Sequence, residues 1–213
     1  MEKLAIFDVD FTITKKETLL EFYKFMVKSN VKYLIYLPKI LFAGILYGLK
    51  IINAEKAKLI FISFINGIKE KDMDELVRKF YKEKLSLIIY EEAYHTIRER
   101  KKEGCLIYLI SASPEFYLKE FYNLKEIDKI LGTKVVLKDG VYKRKFIGRN
   151  CKGEEKVIRL NQVLKEENIQ VDFKNSYMYS DSLSDLPLFN MVGNPYLINS
   201  KGKKTKIQIL KWK

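Results

Sequence analysis

Hydrophobic residues are spaced in two different ways along this chain. The segments at about residues 3–9 and 105–110 contain short apolar runs that are typical of buried strands. Between them, from about 15 to 102, apolar residues recur every three or four positions, as on one face of a helix. This order predicts an α/β fold with a doubly wound parallel sheet and a helical domain inserted after the first strand.

Shorter signals place the elements that follow residue 110. Pro114 is expected to open a helix soon after the second strand has ended at Ser111. Asp139-Gly140 is a two-residue turn between apolar segments, and it predicts a β-hairpin over 133–147. The remaining predictions are a helix at about 154–168 and strands at 176–180 and 194–198.

The first strand ends on charged residues. Asp8, Asp10 and Thr12 alternate along an extended segment, so their side chains start on one face. Two neighbouring carboxylates repel each other and lose solvation when they are buried. A divalent cation would relieve this repulsion, and carboxylate oxygens are ligands that Mg²⁺ prefers. The alternative interpretation is an exposed, aspartate-rich turn that caps a helix.

Polar residues also end the other predicted strands. Ser111 follows the second apolar run, and Asp181 follows the strand at 176–180. In doubly wound sheets, ligands bind at the carboxyl ends of the strands. We therefore expect Asp8, Ser111 and Asp181 to share one site.

Composition limits the class of protein. The 213 residues are 47% hydrophobic and 31% charged, which is enough for one α/β core with a smaller insert. The net charge of +13 attracts phosphate esters, anionic lipid or nucleic acid without choosing among them. Two distant cysteines are expected to be reduced thiols in a cytoplasmic protein. The first apolar run ends at Asp8, which is too early for a signal peptide.

The apolar segment 33–49 has two interpretations. Pro38 and Lys39 interrupt it, so it falls short of the ~20 uninterrupted apolar residues that span a bilayer. A buried helix pair is favoured, because short apolar runs mostly belong to protein cores. The alternative is a surface that lies on a membrane or receives a lipid-like substrate.

Four motifs in the same order resemble those of the haloacid dehalogenase-type phosphatases, in the phosphoserine phosphatase-like branch that carries a helical cap. The motifs are Asp8-Val-Asp-Phe-Thr12, Ser111 in LISASP, a lysine in Lys152-Gly-Glu-Glu-Lys156, and Asp181-Ser-Leu-Ser-Asp185. The resemblance covers about residues 3–200. It implies a Rossmann-like catalytic core formed by 1–14 and 100–213, and a cap formed by 15–99.

The resemblance also implies a reaction, the Mg²⁺-dependent hydrolysis of phosphate monoesters through a phosphorylated aspartate. Asp8 would be the nucleophile, and Asp10 would protonate the leaving alcohol and then activate water. Ser111 would donate a hydrogen bond to the phosphoryl group, and the motif lysine would neutralise its charge. Asp8, Asp181 and the main-chain carbonyl of Asp10 would hold Mg²⁺.

Further residues are expected around this centre. Lys152 and Lys156 are one helical turn apart, so either could be the motif lysine. Lys152 precedes Gly-Glu, as the catalytic lysine does in some relatives. Lys156 is favoured because it lies near a helix N-terminus, where phosphate binds well. Asp185 would support the metal or the lysine. The expected substrate contacts are Thr12, Glu17, Ser111, Ala112 and Lys152.

The substrate is less well defined than the reaction. Phosphoserine phosphatases hold their substrate with a cap glutamate, which Glu17 matches in spacing, and with a cap arginine. The comparable stretch here, 53–63, contains no arginine, so a substrate carboxylate would lose a bidentate partner. We expect a small phosphometabolite, of the phosphoserine, histidinol-phosphate or phosphatidylglycerophosphate type.

Two other functions stay open at this stage. A phosphotransferase would pass the same phosphoryl group to an alcohol. A non-enzymatic basic protein would bind anionic membrane or nucleic acid, but the intact motif set argues against it. The expected partner is a small phosphate ester, with an anionic membrane surface as a second candidate and no nucleic acid. The lysine-rich tail at 201–213 would suit a membrane or would simply keep the chain soluble.

Overall fold

The computed structural model describes residues 1–200 and 206–213. Its strands are β1 (Lys3–Phe7), β2 (Cys105–Pro114), β3 (Lys129–Thr133), β4 (Val135–Lys138), β5 (Val141–Phe146), β6 (Tyr177–Ser180), β7 (Asn194–Ile198) and β8 (Gln208–Leu210). The main sheet has six parallel strands in the order β3-β2-β1-β6-β7-β8, and β4 and β5 form a separate antiparallel hairpin.

The α-helices of the described residues fall into a long group between β1 and β2 and a second group after β2. The first group is α1 (Thr18–Ser29), α2 (Leu37–Gly48), α3 (Ala54–Phe61), α4 (Glu70–Phe80) and α5 (Glu91–Lys102). The second group is α6 (Glu115–Leu118), α7 (Glu154–Glu166) and α8 (Leu186–Phe189).

Both faces of the main sheet are covered, and for this reason its central strands are uninterrupted apolar runs. Along β1, Ala5 and Phe7 point into one buried hydrophobic cluster, while Leu4 and Ile6 point into a second. The two clusters lie on opposite sides of the sheet because side chains alternate along a strand. The predicted α/β class and doubly wound parallel sheet are confirmed.

The second strand is longer than its sequence predicts. β2 continues past Ser111 as far as Pro114, which pairs with Thr133 of β3 after a shift in register beyond Ile110. The prediction was wrong because it took the first polar residue as the end of the strand. Pro114 precedes α6 and does not belong to it.

The two edge strands of the main sheet were not predicted. Lys129 and Gly132 interrupt the apolar pattern of β3, so its sequence resembles a loop before the hairpin. Part of the lysine-rich tail, residues 201–205, lies outside the described residues. Beyond it, β8 pairs in parallel with β7. Edge strands carry weak sequence patterns because one side of their backbone has no partner strand.

The prediction of a buried helix pair over 33–49 is wrong. A 3₁₀ turn at Val31–Tyr36 leads into α2, in which only Ile40 and Ala43 are buried. Phe42 and Ile45, on the outer face of α2, are 60% and 59% exposed. Apolar composition could not show that α3 covers one face of this helix and leaves the other free.

The same stretch has the length and composition of a membrane-crossing helix. Residues Val31–Gly48 have a mean hydropathy of 1.3, and 11% of them are buried. Core helices of soluble proteins and signal sequences share these properties, so the stretch is weak support for a membrane span.

The boundaries of the core and of the cap at 15–99 remain predictions. Aromatic rings join the first helices to the core: Phe22 of α1 lies 5.5 Å from Tyr117 of α6, measured between ring centroids. The last helix of the group, α5, packs against β2. Most of α5 therefore lies on the sheet, although its residues fall within the predicted cap.

Gly132 allows β3 to approach the end of β2 closely. A Cβ at this position would lie 2.9 Å from Glu115 Cα, Leu118 Cδ1 and Ser113 O. We expect Gly132→Ala to lower the free energy of unfolding by about 1–3 kcal/mol, the usual cost of overpacking. Urea denaturation measures this change. Gly48→Ala is the control, because no atom lies within 4 Å of its Cβ position. It should stabilise α2 by up to about 1 kcal/mol. Equal effects of the two changes would contradict the packing argument.

Candidate active site

A cleft of about 410 Å³ opens where the carboxyl ends of β1, β2 and β6 meet. In a doubly wound sheet this is the edge at which ligands bind. Most of the residues predicted for the site line this cleft: Asp8, Asp10, Glu17, Ser111, Ala112, Lys152, Lys156, Asp181 and Asp185.

Lys156 forms the centre of the cleft. It lies in the first turn of α7, and only 2% of its surface is exposed. Its Nζ donates hydrogen bonds to Asp8 Oδ1 at 2.8 Å and to Asp185 Oδ2 at 2.7 Å. The exposed Lys152, one turn earlier, lines the rim of the same cleft. The geometry therefore distinguishes the two lysines: Lys156 contacts the predicted nucleophile.

Burial and charge act in opposite directions on this ion pair. Burial raises the pKa of Asp8 to about 7, although the Lys156 ammonium beside it lowers that pKa. Burial alone would lower the pKa of Lys156, but Asp8 and Asp185 together hold it above its ordinary value. Lys156 is therefore charged throughout the physiological pH range, whereas Asp8 needs further positive charge to remain fully ionised.

Asp10 points away from Lys156, towards the start of the cap. Its Oδ1 accepts hydrogen bonds from Thr18 N at 2.7 Å and from Thr18 Oγ1 at 2.6 Å, and its Oδ2 accepts one from Ser113 Oγ at 2.6 Å. Thr18 is the first residue of α1. Because three donors hold the carboxylate of Asp10, its orientation depends on both the cap and β2. Neither Thr18 nor Ser113 was predicted from the sequence.

A tight turn directs the two aspartates to different places. β1 ends at Phe7, and the main-chain N–H groups of Ile13 and Thr14 both donate to the carbonyl of Val9. Phe11 has a φ of 57°, which reverses the chain between Asp10 and Thr12. A continued strand would leave the side chains of Asp8 and Asp10 on one face, and the turn separates them.

Thr12 lies beneath the cleft and does not line it. The side chain is fully buried, and its Oγ1 accepts a hydrogen bond from Asp181 N at 2.8 Å. This contact joins the turn after β1 to the loop after β6. It gives Thr12 a positioning role instead of the predicted contact with substrate.

Asp181 and Asp185 complete the negative side of the cleft. Burial, together with the charge of Asp185, raises the pKa of Asp181 to about 6. Asp185 Oδ2 accepts hydrogen bonds from Lys156 and from Ser180 Oγ at 2.8 Å, while its buried Oδ1 has no hydrogen-bond partner among the described residues. Lys156 is thus hydrogen-bonded to two carboxylates, and Asp181 adds a further negative charge nearby.

A divalent cation suits this donor set. Among the described residues, no three His, Cys, Asp or Glu side chains lie close enough to hold a metal by themselves. The predicted set needs only two carboxylates, Asp8 and Asp181, together with the carbonyl of Asp10. Mg²⁺ is commonly bound by one or two carboxylates, with waters and phosphate oxygens filling its other positions. A cation held by these two carboxylates would lower their pKa values, which burial raises.

Ser111 and Ala112 line the wall that β2 contributes. Ser111 is buried, and its Oγ accepts a hydrogen bond from Ser113 N at 3.1 Å. Its own hydroxyl proton can therefore be donated into the cleft. The carbonyl of Ala112 accepts hydrogen bonds from Lys58 Nζ and Thr133 Oγ1, so this residue contributes its main chain to the site.

The cap supplies two charged groups. Glu17 is the N-cap of α1, where its Oε2 accepts a hydrogen bond from Leu20 N. Burial, together with the charge of Asp10, raises the pKa of Glu17 to about 7. Lys58 of α3 reaches the cleft from the cap side, and its Nζ donates to Ala112 O at 2.9 Å and to Asn150 Oδ1 at 3.0 Å. Burial lowers the pKa of Lys58.

Sequence reasoning missed Lys58 and Asn150. Lys58 lies within the stretch 53–63, which contains no arginine. The one signal for it in the sequence was that a lysine stands beside an apolar run. Asn150 lies between the hairpin and α7 and has no such signal. Its Oδ1 accepts from Lys58, and its N–H donates to Glu55 Oε2 at 3.0 Å. Both contacts depend on how the cap lies over the core.

Comparison with known proteins agrees with this arrangement. The family model of haloacid dehalogenase-like hydrolases matches residues 5–190. The chain belongs to this family. The resemblance found in the four motifs is thereby confirmed, and this haloacid dehalogenase-like protein is an enzyme.

The sequence identity to individual relatives is low. A histidinol-phosphatase from Neisseria meningitidis is 31% identical over 140 residues, which cover 64% of this chain and 63% of that protein. This chain thus spans less than two thirds of the Neisseria protein. A protein of unknown function from Bordetella pertussis has a TM-score of 0.87 at 20% identity, covering 99% of this chain and 98% of the other. A substrate-bound phosphoserine phosphatase has a TM-score of 0.65 at 20% identity, covering 98% and 93%. These two structures show a shared fold.

The ion pair of Lys156 makes a prediction for stability. Lys156→Met leaves Asp8 and Asp185 buried together without a cation, which should cost on the order of 3–5 kcal/mol at pH 8 in metal-free buffer. Carboxyl groups whose pKa is raised by folding bind protons preferentially in the folded state, so the stability that they confer is lost as pH rises. The free-energy cost of Lys156→Met should therefore be smaller at pH 5 than at pH 8, because pH 5 lies below the pKa of about 7 that Asp8 has in the unmodified protein.

Urea denaturation at the two pH values measures this difference. Lys152→Met is the matched control, because Lys152 is an exposed lysine of the same cleft. Its effect should stay within about 0.5 kcal/mol at either pH. A cost for Lys156→Met that does not change with pH would show that lost packing outweighs the unpaired carboxylates.

Proposed function

We propose that this protein is a Mg²⁺-dependent phosphomonoester hydrolase that acts through a phosphorylated Asp8. One observation carries the proposal: the buried Lys156 bridges Asp8 and Asp185 at the strand ends. A lysine held in this way cannot leave the cleft, and it places positive charge beside the carboxylate that would attack phosphorus. Such fixed charge is what phosphoryl transfer requires.

The reaction divides into two displacements at phosphorus. In the first, an oxygen of Asp8 bonds to phosphorus while the ester P–O bond breaks, and the leaving alkoxide takes a proton from Asp10, which enters this step in its protonated form. In the second, water attacks the phosphorylated aspartate, and Asp10 removes the proton of that water. Asp8 and Asp10 both return to their starting states, and the products are an alcohol and inorganic phosphate.

Asp10 is held in a position suited to both proton transfers. Its hydrogen bonds to Thr18 and Ser113 direct the carboxylate towards the cap side of the cleft. In the proposed reaction the alcohol departs on this side, where Asp10 can protonate it. Ser111, whose hydroxyl proton is free, supplies a hydrogen bond to a phosphoryl oxygen.

The metal would be held by Asp8, Asp181 and the main-chain carbonyl of Asp10. When bound, Mg²⁺ supplies positive charge that neutralises phosphoryl oxygens and lowers the pKa of its carboxylate ligands. Thr12 supports this arrangement by fixing the main chain of Asp181. Asp185 keeps Lys156 in place through its hydrogen bond to Nζ.

The substrate is proposed to be a small phosphate ester. The Neisseria relative is a histidinol-phosphatase and a structural neighbour is a phosphoserine phosphatase, so both names refer to monoesters of compact alcohols. The cleft of about 410 Å³ accommodates ligands of that size. Lys58 and Glu17, on the cap side, are placed to contact the part of the substrate that lies beyond its phosphate.

Asp8→Asn tests the nucleophile. An amide cannot attack phosphorus as a carboxylate does, so Mg²⁺-dependent phosphate release from 4-nitrophenyl phosphate should fall by on the order of 10⁴-fold or more. Asp139→Asn, in the hairpin turn, is the control and should retain full activity. Circular dichroism checks that both variants are folded. Activity of the Asp8→Asn protein at the level of the unmodified protein would refute the proposed mechanism.

Mg²⁺ binding can be tested without turnover. A ligand that binds only the folded state stabilises it, by about 2.7 kcal/mol at a hundred times its dissociation constant. Mg²⁺ should therefore raise the melting temperature of the unmodified protein. It should raise that of Asp181→Asn much less, because one of two carboxylate ligands has been removed. Asp139→Asn should respond like the unmodified protein. An equal response of Asp181→Asn would place the cation elsewhere.

A further inference from the structure

A second cavity, which we call the cap groove, opens beside the catalytic cleft. Its volume is about 430 Å³, within the range of small-molecule sites. Glu17, Tyr47, Ala57 and Lys58 line both the cleft and the groove, so the two spaces adjoin each other at these residues. Away from this junction the wall is apolar, formed by Leu19, Leu20, Ile40, Leu41, Gly44 and Phe61.

We propose that the cap groove holds an apolar chain of the substrate, so that the enzyme hydrolyses amphiphilic phosphate monoesters. The inference rests on the proposed function, because Asp8 then fixes where the phosphate lies. From that point the lining changes from charged groups to hydrocarbon. A ligand that carries a phosphate at one end and an alkyl or acyl chain at the other matches this change along its length.

A purely polar substrate would leave the groove unexplained. Its phosphate and polar groups would occupy the cleft near Lys156 and Lys58, and the apolar wall beyond would bind nothing. Each methylene of an alkyl chain placed there leaves water for an apolar surface. This transfer is worth on the order of a three-fold gain in affinity for every methylene.

The outer face of α2 indicates where such a substrate is found. Leu41, Phe42, Ile45 and Leu49 form an apolar stripe at helical spacing, and each is between 59% and 66% exposed. The surrounding segment 28–58 contains six lysines and one acidic residue, Glu55. An apolar helix face edged with lysines is typical of helices that lie in the surface of an anionic membrane. The groove opens on this helix, through Leu41 and Gly44.

Alkyl phosphates of increasing length test the occupant of the groove. We expect kcat/KM, measured below the critical micelle concentration with Mg²⁺, to rise by about three-fold per methylene between ethyl and decyl phosphate until the groove is filled. If decyl and ethyl phosphate are hydrolysed with equal kcat/KM, the groove does not hold the chain. If neither ester is hydrolysed, the proposed phosphatase activity fails, and the binding measurement described below then decides the inference by itself.

Two glycines of α2 provide a matched pair of variants. Gly44 lines the groove and Gly48 does not, and a Cβ at either position meets no atom within 4 Å. Gly44→Leu should fill the groove and lower the ratio of decyl to ethyl kcat/KM by roughly ten-fold or more, as if two or more methylenes had lost their site. Gly48→Leu makes the same chemical change and should leave this ratio unaltered. Equal ratios in the two variants would overturn the proposal.

Binding of non-hydrolysable phosphonates separates the groove from the chemistry. In calorimetry with Mg²⁺, decylphosphonate should bind more tightly than ethylphosphonate to the unmodified protein and to Gly48→Leu. Gly44→Leu should lose most of this difference. The groove inference stands if the difference is found even when no ester is hydrolysed. It fails if binding is independent of chain length.

The form in which the ester is presented distinguishes two sources of substrate. Dodecyl phosphate is offered either as a monomer or embedded in vesicles that contain phosphatidylglycerol. Hydrolysis of the embedded ester identifies bilayer lipid as the source, as the stripe on α2 leads us to expect. Hydrolysis of the monomer alone identifies a soluble amphiphile. Hydrolysis of neither form, while ethyl phosphate is turned over, contradicts the inference.

Discussion

The buried contact of Lys156 with Asp8 and Asp185 is the interaction on which the rest of this structure depends. Three strands bring their polar ends to one edge of the sheet, and most of the groups that they contribute are carboxylates. Without a cation these groups would repel one another, most strongly at the buried Asp8 and Asp185. Lys156 enters from a different element, α7, so the ion pair also holds that helix against the strand ends.

The backbone around the site is arranged to keep this charge balance in place. The residue before α7, Gly153, has a φ of 59°, and its carbonyl accepts a hydrogen bond from Lys156 N at 3.0 Å. On the opposite side, Asp8 N donates to Tyr179 O, so the proposed nucleophile extends the hydrogen-bonded ladder between β1 and β6. Both partners of the ion pair are thus fixed by main-chain contacts. This rigidity suits a reaction in which charge stabilisation must exist before the substrate arrives.

A feature of this molecule could be predicted from the sequence where it depends on the order of the elements, and not where it depends on how distant segments pack together. Asp8, Ser111 and Asp181 were predicted to meet because parallel strands end at one edge, and that rule needs only the order of the elements. The exposed face of α2 was the less favoured interpretation and the position of Lys58 was not predicted, because each depends on how the cap lies over the core. Thr12 shows the same limit in the core. Alternation along a strand places it beside Asp8, but the turn at Phe11 buries its side chain beneath Asp181.

Two lysines reach the same cleft, and their surroundings give them different properties. Lys156 is paired with two carboxylates, which raise its pKa, so its charge is already balanced before any ligand binds. Lys58 donates its hydrogen bonds to the neutral oxygens of Ala112 and Asn150, and burial lowers its pKa. An anionic substrate therefore gains more from Lys58 than from a lysine that is already paired, because the charge of Lys58 has no bonded counter-ion among the described residues. In the proposed reaction, Lys156 of the core keeps Asp8 ionised, and Lys58 of the cap binds the anionic substrate. The sequence motifs predict the role of Lys156, whereas the role of Lys58 depends on the cap, which also carries the groove.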